Sequence, residues 1–171
     1  MYYISVDPSG SFNEGKGHTG MSIIKDWDWN TLQCISFDAS KYETRLEYWQ
    51  AMIDTILKFP VSETHVVIES FTIRTNGFLT GKMPETMLFI GALSYVLESK
   101  GYRHVFQSPS QAKTRFKDDL LCMHIPNFVK TDVYYYLKGK RVNDHVRDSL
   151  KHLLYYKKYG GWFKWVSIKK H

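Results

Sequence analysis

Two apolar stretches that each stop on a carboxylate constrain this chain most. Tyr-Tyr-Ile-Ser-Val leads into Asp7, and Val-Val-Ile leads into Glu69. Short β-branched runs read as buried strands, whereas a carboxylate beside a hydrophobic core is costly unless something pairs with it. A third carboxylate, Asp148, follows His145 by three residues on a segment with helical periodicity. Several carboxylates that converge usually hold a cation between them. If these residues converge, the chemistry they point to is metal-dependent and directed at something phosphorylated.

The order of segments specifies an α/β domain. Strands are expected over 2–7, about 20–25 and about 31–37, with a turn at 26–30 that carries two Trp. Consecutive strands with short links imply an antiparallel meander. Residues 44–59 follow as a helix, opened by a Thr44–Glu47 capping box. Its apolar stripe is expected to be Leu46, Trp49, Ile53, Ile56 and Leu57. A fourth strand covers 65–68, and residues 70–83 form a polar loop. Pro84 suits the first turn of a second helix that Gly101 stops. That helix is apolar nearly all round, from Met87 to Leu97, so both of its faces should be covered. Gly91 inside it costs about 1 kcal/mol relative to Ala, which a close approach to the sheet would explain. A fifth strand is expected at 103–106, ended by Ser108-Pro109-Ser110. Residues 111–142 are polar, basic and weakly periodic, with a short helix expected near 131–137. A last helix runs from about 143 to 156 and stops at Gly160-Gly161, before a basic aromatic tail with Trp162, Lys164, Trp165, Lys169 and Lys170.

A chain of 171 residues with 43% hydrophobic content is long enough for one domain with a real core, spanning 1–171. Lys and Arg exceed Asp and Glu by six (23 minus 17), and the pI is near 9.2. That balance favours nucleic acid or another acidic surface as partner. Aromatic residues reach 16%; those not in the core are suited to stacking on bases. Cys34 and Cys122 have no metal-ligand spacing and read as small core residues of a reducing compartment. No run is apolar and long enough to span a bilayer, and no secretory signal is visible. A soluble intracellular protein is expected.

Hydrolysis of a phosphodiester needs a nucleophilic water and stabilisation of charge on the attacked and departing oxygens, which two divalent cations about 3.5–4 Å apart provide. Strand ends and a facing helix are rigid supports for their ligands. On the last helix, His145, Asp148 and His152 fall within an arc of roughly 60° at ~100° per residue. Val146, Leu150, Leu153 and Leu154 occupy a different face, toward the core. Asp144 projects beside Asp148 and is an alternative ligand. Each residue also has a purely structural reading. Asp7 before Pro8 can open a turn, Glu69 can be a loop-edge charge, Asp144 can favour the helix dipole, and His152 can be a core histidine.

Asp7 after a first strand, Thr19-Gly20 in a second, Val-Val-Ile-Glu69 ending a fourth and His145-x-x-Asp148 on the last helix together resemble the RuvC-type Holliday-junction resolvases. These belong to the ribonuclease H-like nuclease superfamily. The segment Asp-His-Val-Arg-Asp-Ser-Leu-Lys-His is especially similar to the phage-borne branch. The resemblance covers nearly the whole chain in element order. It implies a five-stranded mixed sheet, three strands antiparallel and two parallel, with helices on both faces. It implies two Mg²⁺ ions, replaceable by Mn²⁺, on Asp7, Glu69, His145 and Asp148. Pro109-Ser110-x-x-Lys113 is similar to the family's proline-to-lysine segment, so Lys113 would face a phosphate. Lys130 is similar to a second family lysine, although the segment between the two is longer here. Phe71, Arg74 and Phe78 lie in a loop that resembles the family's aromatic wedge, with Phe71 one residue off its usual place. Ser149 stands where the family usually has Ala. The apolar second helix is similar to the family's dimer helix.

The implied function is homodimeric resolution of four-way DNA junctions, in the host cytoplasm if the protein is phage-borne. Lys113, Arg115, Lys117, Lys130, Lys138, Lys140 and Arg141 would hold phosphates. Flap or Y-branch debranching is an alternative within the superfamily. A structure-selective DNA-binding protein with a silent centre is a second. The actin and sugar-kinase phosphate loop is a third, but it needs two such domains and this chain has room for one.

Overall fold

The computed structural model describes residues 1–8, 12, 17–71 and 85–160. Five strands, β1 (Tyr2–Pro8), β2 (His18–Lys25), β3 (Asp28–Asp38), β4 (Thr64–Glu69) and β5 (Arg103–Gln107), form one sheet in the order β3-β2-β1-β4-β5. β1 and β2, and β2 and β3, pair antiparallel; β1 and β4, and β4 and β5, pair parallel. This is the expected mixed α/β sheet. The β2–β3 turn is tighter than expected: Asp26 and Trp27 alone make it, both at positive φ (50° and 59°), and β3 begins at Asp28.

Period-2 alternation assigns every strand residue to one of two layers. Ile4, Val6, Met21, Ile23, Val66 and Ile68 point to one side, where they pack with α1 (Arg45–Leu57) and α2 (Glu85–Lys100). α1 starts at Thr44, whose hydroxyl accepts from Glu47 N at 3.2 Å; the Glu47 carboxylate caps Glu43 N rather than Thr44 N. Its buried stripe is Tyr48, Trp49, Met52, Ile53 and Ile56. Leu46, expected in that stripe, is exposed: it lies in the first turn at the edge of the stripe, roughly 90° from its centre.

α2 buries Phe89, Leu93 and Leu97, one residue per turn, and ends at Gly101 with φ +80°. Its other side is exposed at Leu88, Gly91 and Tyr95. Among the described residues nothing lies within 4 Å of where a Gly91 Cβ would sit, so no close approach to the sheet explains that glycine.

The second layer contains α3 (Pro109–Arg115), α4 (Asp118–His124) and α5 (Asp144–Tyr159). The expected core face of α5 is correct: Val146, Leu150, Leu153 and Leu154 pack with Ile24, Leu32 and Leu121. The helix expected near 131–137 does not form. Instead β6 (Phe128–Lys130), β7 (Tyr135–Leu137) and β8 (Lys140–Val142) make a small antiparallel sheet. Its β7–β8 hairpin turns on Lys138 and Gly139, at φ 50° and 77°, the two positive-φ positions of a tight two-residue hairpin. Pro84, Arg74, Phe78 and the basic aromatic tail lie outside the described residues. Among the described residues no helix is long and apolar enough to cross a membrane.

Candidate active site

α5 reaches the sheet because the residues beneath it are small. Gly20 on β2 pairs with Asp7 on β1, and a methyl group at Gly20 would overlap the His145 carbonyl and the Val146 amide. Two residues along the same face, the Ser22 hydroxyl bonds that of Ser149 on α5. Ser149 is therefore a contact residue as well as a small one. The first turn of α5 is fixed by Asn143, whose Oδ1 accepts from Val146 N at 2.9 Å.

This approach gathers the residues that the sequence scatters. Asp7 and Glu69 end neighbouring parallel strands, and both are buried. The imidazole Nδ1 of His145 bonds Asp7 Oδ2 at 3.0 Å. Lys113 reaches in from α3, which opens on a complete capping box: Ser108 Oγ accepts from Gln111 N, and Gln111 Oε1 accepts from Ser108 N. Its ammonium lies 3.0 Å from Glu69 Oε1 and 2.7 Å from Asp148 Oδ2. Asp7, Glu69, His145, Asp148 and Lys113 thus form one cluster. Asp144 stays outside: its side chain is 82% exposed, against 20% for Asp148, and pairs with Arg147 at 2.9 Å. Lys130 also stays apart from it, paired with Asp119 at 2.9 Å.

Three residues that the sequence did not single out as partners support the carboxylates. His152, fully buried, places Nε2 2.9 Å from Glu69 Oε2 and Nδ1 2.8 Å from Gln107 Oε1. Glu69 and Gln107 are directly paired between β4 and β5, so one ring spans both strand ends. Lys151 bonds Asp148 Oδ1 at 2.8 Å and Asp118 on α4 at 2.7 Å. The i, i+3 spacing of Asp148 and Lys151 was the one available signal; the other pairings join distant segments and leave no local pattern.

The charges respond to this crowding. Burial pushes the Asp7 carboxyl above the usual carboxylate range, and the charge of Glu69 adds to that, against the opposing hydrogen bond from His145. Burial also acts upward on Glu69, but His152 and Lys113 outweigh it and hold the group low. Asp148 is likewise held low by Lys113 and Lys151 against burial. Lys113 is raised: burial opposes its charge, and the surrounding carboxylates prevail. The Asp7 hydrogen bond raises His145.

Three carboxylates and an imidazole are donors suited to a hard divalent cation. Burial, with the nearby Glu69 charge, disfavours the Asp7 carboxylate, and such a cation would offset both. Lys113 bridges Glu69 and Asp148, and among the described residues no three His, Cys, Asp or Glu side chains close around a single point. The donor set fits in kind, with the Lys113 ammonium at the point where Glu69 and Asp148 meet.

No protein-family model matches the sequence, and no curated protein matches it. Solved structures do. Thermus thermophilus RuvC in complex with a Holliday junction substrate aligns with a TM-score of 0.64 at 16% identity, over 95% of this chain and 96% of that one. A second Thermus thermophilus RuvC structure gives 0.60 at 16% identity over the same shares. The chain has the RuvC-like, ribonuclease H-like fold.

Proposed function

We propose that the protein is a metal-dependent endonuclease acting on branched DNA, with four-way junctions as its main substrate. The observation that carries this reading is the convergence of Glu69 and Asp148 on Lys113, beside the Asp7–His145 pair, at the strand ends of a fold similar to that of a protein solved with a Holliday junction. Asp7, Glu69 and Asp148, completed by His145, would hold Mg²⁺, two ions per site, with Mn²⁺ as a substitute. When bound, these ions supply a Lewis acid and a water acidic enough to attack a phosphodiester.

The chain's own residues divide the remaining work. His152 and Gln107 fix the Glu69 carboxylate, and Lys151 fixes Asp148. Asp7 and Glu69 are buried and the Asp148 side chain is 20% exposed, whereas the side chains of Lys113 and His145 are each 34% exposed. Those two are the most exposed groups of the cluster and would meet a substrate first. Lys113 would exchange its carboxylate partners for a phosphate oxygen. Phe71, 42% exposed just past β4, would contact a branch point. The open side of α2, with Leu88 and Tyr95, supports a homodimer, whose two sites would nick opposite strands of a symmetric junction. A phage-borne origin, with action inside the host cell, belongs to the same proposal.

A cleavage assay on four-way, three-way, flap and linear DNA, with and without Mg²⁺, tests the reading. Mg²⁺-dependent cleavage that favours the four-way junction is expected. Equal cleavage of flaps would broaden the enzyme to a debranching endonuclease. Junction binding without cleavage in either Mg²⁺ or Mn²⁺ would make the centre silent.

A further inference from the structure

A groove of about 640 Å³ lies on the opposite flank of α5 from Lys113, between β3 and β8. Its walls are Leu32, Cys34 and Ser36 on one side and Lys138, Lys140 and Arg141 on the other, with Asn143 at the end nearest the carboxylates. Asn143 Nδ2 closes that end with a 2.7 Å bond to Ser36 Oγ. The far end is tied by Lys138, whose ammonium bonds the Asn30 carbonyl of β3 at 3.0 Å. Among the described residues that line the groove none is acidic.

The sheet fixes where the groove stands relative to the candidate site. Asp7 pairs with Gly20, and Gly20 pairs with Ser36. Ser36 is therefore two strands from Asp7 on one row, about 10 Å at the usual strand spacing. Lys140 is exposed, and its ammonium has no hydrogen bond or ion pair among the described residues. The Arg141 guanidinium is spread on the Tyr134 ring, 3.8 Å from its centroid, which holds the charge in place without neutralising it. Three cations, no acidic side chain among the described lining residues and a place on the same sheet row as Asp7 fit a polyanion that crosses the end of the sheet.

We infer that this groove binds the phosphodiester backbone of the DNA strand flanking the cleavage point, with Lys140 and Arg141 as the phosphate contacts. The inference rests on the nuclease reading and adds to it a substrate-binding subsite beyond the carboxylate cluster. It assigns a role to the β6–β8 sheet, which otherwise only packs beneath α5.

The test compares the wild-type chain with Lys140→Ala and with the Lys140→Ala/Arg141→Ala double variant. Junction binding is measured from about 50 to about 200 mM salt, and cleavage is measured in Mg²⁺. Removing one cation–phosphate pairing lowers the slope of log affinity against log salt by about one. The double variant should therefore show a slope shallower by about two, so its affinity falls about tenfold less across that range. Its KM should rise while kcat holds. Lys140→Ala, at an exposed position, should show half the slope change with unaltered thermal stability. Unchanged slope and KM in both variants, with wild-type cleavage intact, would overturn the groove and leave the nuclease reading standing. Absence of DNA binding by the wild type would overturn both.

Discussion

The two faces of the central sheet are built on opposite principles. Toward α1 and α2 the strands present Ile4, Val6, Met21, Ile23, Val66 and Ile68, against Tyr48, Met52, Phe89 and Leu93. Toward α5 they present Ser5, Asp7, Gly20, Ser22, His65, Glu69 and Gln107 along with Val67, Val105 and Ile24. The first face gains stability from apolar area removed from water. The second gives up part of that gain so that a helix backbone can lie on the strands and bring His145, Asp148 and His152 to the carboxylates. Stability and the proposed chemistry thus fall on different sides of the same strands, and substitutions on the two sides should fail differently.

Phe89→Ala makes the largest expected change in stability. It removes a fully buried ring that packs on Trp49 at 5.6 Å and should cost about 3–5 kcal/mol. Denaturant unfolding would measure this, and activity per folded molecule should be unchanged. Gly20→Ala should cost about 1–3 kcal/mol, because backbone atoms of α5, not a yielding side chain, occupy the space. It should also abolish activity in the folded fraction, since His145 must move. A Gly20→Ala protein with normal stability and activity would break the contrast between the faces.

The Asp7–His145 pair sharpens the contrast through pH. His145 is raised in the folded protein by its hydrogen bond to Asp7. Its contribution to stability is therefore whole below the unfolded imidazole pKa, about 6.5, and is lost as pH rises through the folded value. An NMR titration in the absence of divalent ions should place His145 above about 6.5, and Asp7→Asn should lower it. A midpoint unchanged by Asp7→Asn would remove the pairing. The smallest effect is expected at the second glycine. Gly91→Ala, exposed in mid-helix with open space around it, should stabilise the chain by about 0.5–1 kcal/mol. A loss of stability there would reveal a neighbour on the open side of α2, as a second copy of the chain would be.

Much of this was legible in the sequence, for physical reasons. β1 and β4 are short apolar runs ended by a charge, and α5 separates its polar arc from Val146, Leu150, Leu153 and Leu154, so Asp7, Glu69, His145 and Asp148 were placed on the right supports. The β6–β8 sheet was not legible, because three-residue strands cannot display alternation and the strand preference of Tyr134-Tyr135-Tyr136 was the one local signal against a helix there. The links from His152 to Glu69 and Gln107 join residues 83 and 45 positions apart, and no local periodicity encodes them. Gly20 and Gly91 look alike in a sequence. Only the packed helix distinguishes a glycine that α5 requires from one that faces open space.

The central claim is that the α5 face assembles a metal-dependent nuclease centre around Asp7. Its most direct test is single-turnover cleavage of a four-way junction in Mg²⁺, together with junction binding, for the wild type and Asp7→Asn. That substitution removes a ligand's charge with little change of shape. The account predicts binding within about threefold of the wild type, less than 1 kcal/mol, and cleavage lowered by about a thousandfold or more. Cleavage that survives in Asp7→Asn, or binding abolished as completely as cleavage, would contradict it.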